Sequence, residues 1–228
     1  MNEDISWLQK FIASNRGKWV SLPQEKELLA LKWGLRNHNG KWKIPYDVLN
    51  KIELQDRLGE QFYIEVFSEI PSTHMHGYYH PRPKPYMLFI SEFQSKGIGR
   101  KYDPWLSKYG DNVLMTFTIP FIEHHNSALK AATILSSKLK EWLPQKNIRV
   151  KPPNDVLVNE KKCLGLMIQE PQKAQECLMI SLGLNVNMVD SGPLDQPWTS
   201  LYLETSQVWN RNKVASDLIK TLMDGFDL

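Results

Sequence analysis

A chain of 228 residues with 42% hydrophobic and 11% aromatic content is long enough for one large domain with an appendage, and too apolar to be a disordered protein. Its 28 Lys and Arg against 25 Asp and Glu leave a formal charge of +3, without the basic surplus that marks a nucleic-acid binder. Cys163 and Cys177 lack metal-ligand spacing and make no disulfide framework, and no stretch nears the ~20 apolar residues of a membrane span. The N-terminus carries Glu3 and Asp4 and no apolar core, so no signal peptide is expected and a reduced, cytoplasmic protein is.

Residues 1–60 read as a helical appendage. Ile5, Leu8, Phe11 and Ile12 have helical spacing. A second helix is expected to start at Ser21, with Pro23 in its first turn, Gln24 at the capping-box position and an apolar stripe of Leu28, Leu29, Leu31 and Leu35. Asn39-Gly40 signals a turn between segments bearing Trp33 and Trp42, and Val48 to Leu58 reads as a third helix stopped at Gly59. From Phe62 the period becomes that of strands: Phe62 to Phe67, Tyr86 to Ile90 and Val113 to Ile119. Asn126 is placed as the cap of a helix whose face is Ala128, Ala131, Ala132, Leu135, Leu139 and Trp142. Strands follow at Val156 to Val158, Cys163 to Ile168 and Leu178 to Leu184, and a last helix from about Lys213 carries Val214, Leu218, Leu222 and Phe226. Paired strands with helices set apart predict an α+β layer fold over residues 61–228.

Several clusters carry chemistry. Lys151-Pro152-Pro153-Asn154-Asp155, followed by Lys162 and Gly165, groups lysines, an amide and a carboxylate around a rigid proline pair. The loop after the Tyr86 strand, Gln94-Ser95-Lys96-Gly97-Ile98-Gly99-Arg100, lets a backbone approach an anion closely among basic side chains. It is neither a dinucleotide fingerprint, since Tyr102 stands where the third Gly would be, nor a P-loop. Ser72-Thr73 offers two hydroxyls at a strand end, or a plain helix cap. His74, His76 and His80 are too loosely spaced for zinc, His124 and His125 read as a solvated helix entry, and no metal site is expected. Asn185 and Asn187 end a strand, either closing the sheet or facing a ligand.

In order, Ser72-Thr73, Gln94-x-x-Gly97-x-Gly99-Arg100 with Trp105, Lys151-Pro-Pro-Asn154-Asp155, Lys162-x-x-Gly165 and Gly183-x-Asn185-Val186-Asn187 resemble the motifs of the biotin–protein ligases. The resemblance runs from about Phe62 to the C-terminus. It implies an α+β fold with a central mixed or antiparallel sheet flanked by helices, like that of the class II aminoacyl-tRNA synthetases and shared with lipoate ligases and octanoyl transferases. It implies ATP as co-substrate with Mg2+, biotin as substrate, biotinyl-5'-AMP as intermediate, and as acceptor a biotin carboxyl carrier protein, a subunit of acetyl-CoA carboxylase.

By the same resemblance Lys162 is the main catalytic lysine and Arg100 lies in the loop that closes over the adenylate. Ser72, Thr73, Gln94, Gly97, Trp105 and Gly165 fall at the biotin site. Gly99, Arg100, Lys151, Asn154, Asp155 and Asn185 fall at the nucleotide site. The chain departs from the family pattern at three motifs. The loop reads Arg100-Lys101-Tyr102-Asp103 where the family has Arg-x-Gly-Arg, and an Asp for an Arg is expected to weaken adenylate retention. Pro152 replaces a Trp, and His74 replaces an Asn. The chain stops after its last helix, so the family's small β-barrel domain is not expected. Ten Lys and Arg against eight Asp and Glu in residues 1–60 predict no DNA partner, and a homodimer is left open. A lipoate or octanoate ligase of the same fold, and a non-catalytic biotin-binding relative, are the alternatives.

Overall fold

The computed structural model describes residues 19–32, 36–43, 48–100, 103–122, 126–173, 176–189 and 196–228, together with Trp7, Lys10, Phe11, Ser14 and Asn15. Near the N-terminus, β1 (Trp19–Val20), α1 (Gln24–Lys32), β2 (Arg36–His38) and β3 (Lys41–Lys43) form a helix beside a small antiparallel sheet of order β1-β3-β2. Asn39 and Gly40 both have positive φ, which a two-residue hairpin requires. The expected helical appendage is therefore corrected. A tight turn flanked by Trp42 and lysines pairs as strands, although each segment is too short to show an alternating period. Within α1, Leu28 is 80% exposed rather than part of an inward stripe, and Ala30 is buried. The expected roles of Ile5, Leu8, Ile12, Trp33 and Leu35 lie outside the described residues, as do the side chains of Leu29 and Leu31.

The boundary at residue 60 also moves. Helix α2 (Lys51–Leu58), capped by Asn50 through Ile52 N and Glu53 N, buries Leu54 and Leu58 in the main core. The segment before it is tied down at both ends. Leu49 N donates to Glu92 Oε1 at 2.6 Å, Asn50 N donates to Asn212 Oδ1, and Asn212 Nδ2 donates to Val48 O.

The main sheet is built from β4 (Tyr63–Phe67), β5 (Met87–Ser91), β6 (Asn112–Pro120), β7 (Ile148–Lys151), β8 (Asp155–Val158), β9 (Lys161–Gln169) and β10 (Cys177–Asn185). Its order is β4-β5-β6-β10-β9-β8-β7. Only β4 and β5 run parallel, so the sheet is mixed and mostly antiparallel, as expected. Strand alternation divides its two faces. Val113, Met115, Phe117 and Ile119 of β6 and Leu178, Ile180, Leu182 and Leu184 of β10 join one core with α4 (Ser127–Trp142) and α6 (Arg211–Gly225). A core Leu such as Leu135 or Leu218, fully buried there, stabilises the fold by roughly 1.5–3 kcal/mol.

The opposite face receives the short helix α3 (Thr73–Tyr78), a helix that Ser72 caps, although Pro81, Pro83 and Pro85 follow it closely. It lies close on the sheet because Gly77 has no side chain. A Cβ there would meet Met179 Sδ at 2.9 Å and Thr116 Cγ2 at 3.0 Å. The sequence reading also passed over β7 and the one-turn helix α5 (Leu201–Thr205). Asn126 precedes α4 in the left-handed region and makes no side-chain cap bond, so its expected capping role is corrected; Lys130 N closes the first turn on its carbonyl instead. No helix among the described residues is long and apolar enough to cross a membrane.

Candidate active site

Register and alternation place two rows of residues on the face away from α4 and α6. Asp155 pairs with Gly165, and Gly165 with Gly183, making the first row. Two residues along, or about 7 Å, Ser181 pairs with both Met167 and Thr116 in the second. The glycine row leaves a strip without Cβ atoms, and the indole of Trp105 lies on it. A Cβ at Gly183 would stand 2.4 Å from Trp105 Cε2, and one at Gly165 would stand 2.9 Å from Cζ3. Around these rows opens a cleft of about 340 Å³.

Lys162 reaches this face because of an irregularity in the ladder. Val156 opposes Leu164 and Leu157 opposes Lys162, so β9 carries an extra residue, Cys163, between them. Without that bulge, Lys162 and Gly165 would point to opposite faces. With it, both address the cleft, while Cys163 and Leu164 both enter the core. The hairpin is set by Asn159 and Glu160, both at positive φ. Lys162 is then held through its backbone, donating to Pro197 O and accepting from Thr199 N, each at 2.9 Å. Its Nζ lies 3.0 Å from Asp155 Oδ1 and 5.1 Å from the centre of a Trp105 ring. The Asp155 contact is an ion pair without good hydrogen-bond alignment, and Trp105 Nε1 is buried without a partner.

The loop between β5 and Trp105 folds back on itself. Trp105 N donates to Gly97 O, Gly99 N donates to Asp103 O, and Ile98 bridges Pro104. Gly97 is required by this close approach, since its Cβ would lie 2.6 Å from Trp105 O. From the loop, Arg100 donates to Asn154 Oδ1 at 3.1 Å, and Asn154 Nδ2 donates to Leu166 O at 2.8 Å. The residues after the cis Pro152–Pro153 bond thus tie the loop to β9.

Behind Trp105 the cleft is polar. Gln94 Oε1 accepts from Thr73 N at 2.6 Å and from Thr73 Oγ1 at 3.0 Å. Thr116 Oγ1 donates to Thr73 Oγ1, and Ser181 Oγ lies 2.9 Å from both Thr116 Oγ1 and His74 Nδ1. Burial lowers the His74 pKa below its ordinary value near 6.5.

Of the residues singled out from sequence, Thr73, Gln94, Gly99, Arg100, Trp105, Lys151, Asn154, Asp155, Lys162 and Gly165 line this one cleft. Ser72, Gly97 and Asn185 do not. Ser72 caps α3, accepting from Met75 N. Asn185 Nδ2 donates to Thr199 O, which places it behind the segment that brackets Lys162. The sequence reading missed Ser181 and Gln196 in the cleft and Thr116 behind it; alternation along β6 and β10 would have put Thr116 and Ser181 on one face. His76 pairs with Glu65 at 3.0 Å, and among the described residues no cluster of metal-ligating side chains forms. His124 and His125 lie outside the described residues. Both cysteines are buried free thiols, and burial pushes the Cys177 pKa up to about 11.

The fold is one shared with solved biotin protein ligases. Among solved structures it is similar to a biotin protein ligase from Aquifex aeolicus in complex with biotin and ATP. That likeness has a TM-score of 0.63 and 24% identity, covering 72% of this chain and 70% of that one. A biotin protein ligase from Leishmania major in complex with biotinyl-5-AMP follows at TM-score 0.56 and 19% identity, covering 71% and 73%. Among curated proteins it is similar to the bifunctional ligase/repressor BirA of Escherichia coli, 26% identical over 221 residues. That match covers 93% of this chain and 62% of the relative. The Bacillus subtilis BirA is 29% identical over 106 residues, 44% of this chain and 32% of its own length. The chain thus spans less than two thirds of the curated relatives it matches. No protein-family model matches it.

Proposed function

We propose that the chain is an ATP-dependent biotin–protein ligase. In the first step the biotin carboxylate attacks the α-phosphate of ATP, giving biotinyl-5'-AMP and expelling pyrophosphate. In the second, the amine of a carrier-protein lysine attacks the anhydride carbonyl and AMP leaves. The observation that carries this reading is the convergence of Lys162, Arg100 and Asn154 on the same cleft as the amide of Gln94 and the hydroxyl of Thr73. Biotin fits that division, having a charged carboxylate at one end and a cyclic urea at the other.

The first step brings two anions together. At 4 Å and an effective dielectric of 20, two unit charges repel by about 4 kcal/mol. A fixed cation beside the reacting atoms offsets that repulsion, and Lys162, pinned by its backbone, is the cation so placed. Trp105 on its glycine strip walls the cleft and limits the freedom of whatever lies against it. Magnesium would enter on the triphosphate, and Asp103 and Asp155 are the lining carboxylates that suit a cation which keeps few protein ligands.

Biotin or its adenylate, held in solved ligases of this fold, supports the choice of acid. The acceptor proposed is a biotin carboxyl carrier protein, and the location the cytoplasm, where Cys163 and Cys177 stay reduced. The curated relatives are named ligase/repressors. The reading is confined to the ligase half, because residues 1–60 lack the cationic surplus that grips a phosphate backbone. The test is pyrophosphate release with Mg-ATP and, separately, biotin, lipoate and octanoate. Release with biotin alone is expected. Release with lipoate or octanoate instead would move the assignment to those ligases, and silence with all three would refute an adenylating role.

A further inference from the structure

The hydrogen bonds behind Trp105 run in one direction, and counting protons shows which. Thr73 N–H can only donate, so the atom of Gln94 that receives it is the carbonyl Oε1, and the Nε2 amide group is turned outward as a donor. Thr73 Oγ1 spends its single proton on the same Oε1. It must therefore accept from Thr116 Oγ1 at 3.1 Å. Thr116 has then spent its proton, so the 2.9 Å contact with Ser181 is a bond from Ser181. Ser181 in turn must accept from His74, which fixes the histidine proton on Nδ1. The chain reads His74 to Ser181 to Thr116 to Thr73 to Gln94. Its five side chains come from α3, β6, β10 and the loop after β5.

We propose that His74, acting through Ser181 and Thr116, is a positioning residue that selects the head group of the acid; the inference rests on the ligase reading. With every hydroxyl proton committed, Thr73 and Ser181 offer the cleft only oxygen lone pairs, while Gln94 offers only N–H. That pattern complements a cyclic urea, whose carbonyl accepts and whose two N–H groups donate. An alkyl chain or a dithiolane makes no such bonds. Removing the Nδ1 proton source frees Ser181 to reverse, so its hydrogen can point at the ligand's own N–H.

The experiment is steady-state, biotin-dependent ATP–pyrophosphate exchange by the full chain and by His74→Phe, Ser181→Ala, their double variant and His74→Asn. For His74→Phe the expected result is a rise of about tenfold in KM for biotin, with kcat and KM for ATP within about twofold. Ser181→Ala should raise the KM for biotin at least as much, and the double variant no more than Ser181→Ala alone, because His74 acts through Ser181. His74→Asn, whose amide can still donate to Ser181, should recover most of the parental KM. Unchanged KM for biotin in both single variants, additive effects in the double, or equal losses in every parameter would overturn the inference. A parent silent with biotin but active with octanoate or lipoate would sink the ligase reading itself, and this inference with it.

Discussion

Gly183→Ala offers the sharpest test of how the cleft is built. The added Cβ would lie 2.4 Å from Trp105 Cε2, 2.6 Å from Cζ2 and 2.9 Å from Nε1. Gly183 sits in a central strand, bonded to β6 on one side and β9 on the other, so its backbone cannot retreat. Non-bonded carbons rest at about 3.5 Å or more and repel strongly well inside it, so the indole must lift by about 1 Å. A wall displaced by that much can cost about 100-fold in rate, or about 2.7 kcal/mol. Biotin-dependent pyrophosphate exchange by Gly183→Ala should fall by about that factor. Trp105 is partly buried on a loop and lies outside the hydrophobic core, so the melting temperature should change little. The decisive comparison is with Trp105→Ala and the double variant. If the glycine serves to seat the indole, the double is no worse than Trp105→Ala alone. Near-parental exchange by Gly183→Ala, or fully additive losses in the double, would refute the seating role.

Lys162→Ala should lower adenylate formation by at least about 100-fold in a chain that still shows a cooperative melting transition, since Lys162 lies outside the hydrophobic core; near-normal turnover would remove Lys162 from the chemistry. Arg211 and Glu92 form a buried pair at 2.6 Å, and Arg211→Met leaves the carboxylate inside the protein without its cation, keeping the bond from Leu49 N. Urea unfolding should then show a loss of about 3–5 kcal/mol, partly restored by adding Glu92→Gln; a loss under about 1 kcal/mol would contradict this. Burial holds the His74 pKa below its ordinary 6.5, so on acidification the unfolded chain binds a proton first. The contribution of His74 is therefore full above about pH 6.5 and lost as pH falls towards the lower folded value. Between about pH 7.5 and about pH 5.5, urea stability should fall less in His74→Phe than in the parent; equal slopes would refute the assignment.

What could be read from the sequence follows the range of the interactions involved. The core strands β6, β8, β9 and β10 carry alternation or β-branched runs, and that local signal sufficed. Most of the cleft residues stood in short motifs, where Gly, Pro, Asn and Asp have few other uses. The rest depends on pairings that no local window contains. Lys162 faces Asp155 only because β9 bulges at Cys163. His74 and Ser181 are 107 residues apart, and nothing near either announces the other. Helix α3 depends on Gly77 fitting over Met179 and Thr116, a tertiary fit that overrides a His- and Pro-rich composition. Ser72 and Asn185 were each open to a structural reading, and that is the one their hydrogen bonds fit. Each sits in a motif, yet Ser72 caps a helix and Asn185 supports the Lys162 bracket from behind.

Charge balance in the cleft bears on how the two proposed substrates share it. Among the described lining residues, Arg100, Lys151 and Lys162 stand against Asp103 and Asp155, a surplus of one positive charge. Lys162 is engaged with Asp155 and Trp105, and Arg100 with Asn154, so neither cation is spare in this arrangement. One carboxylate matches the surplus, and biotin could enter with Lys162 turning only slightly from Asp155. A triphosphate exceeds it several-fold. The nucleotide must therefore bring its own divalent cation or break the Lys162–Asp155 pair, and magnesium near Asp155 would do both, freeing Lys162 for the α-phosphate. Asp103, where the family loop carries an arginine, makes that dependence steeper. ATP affinity in this chain should consequently respond to magnesium far more than biotin affinity does.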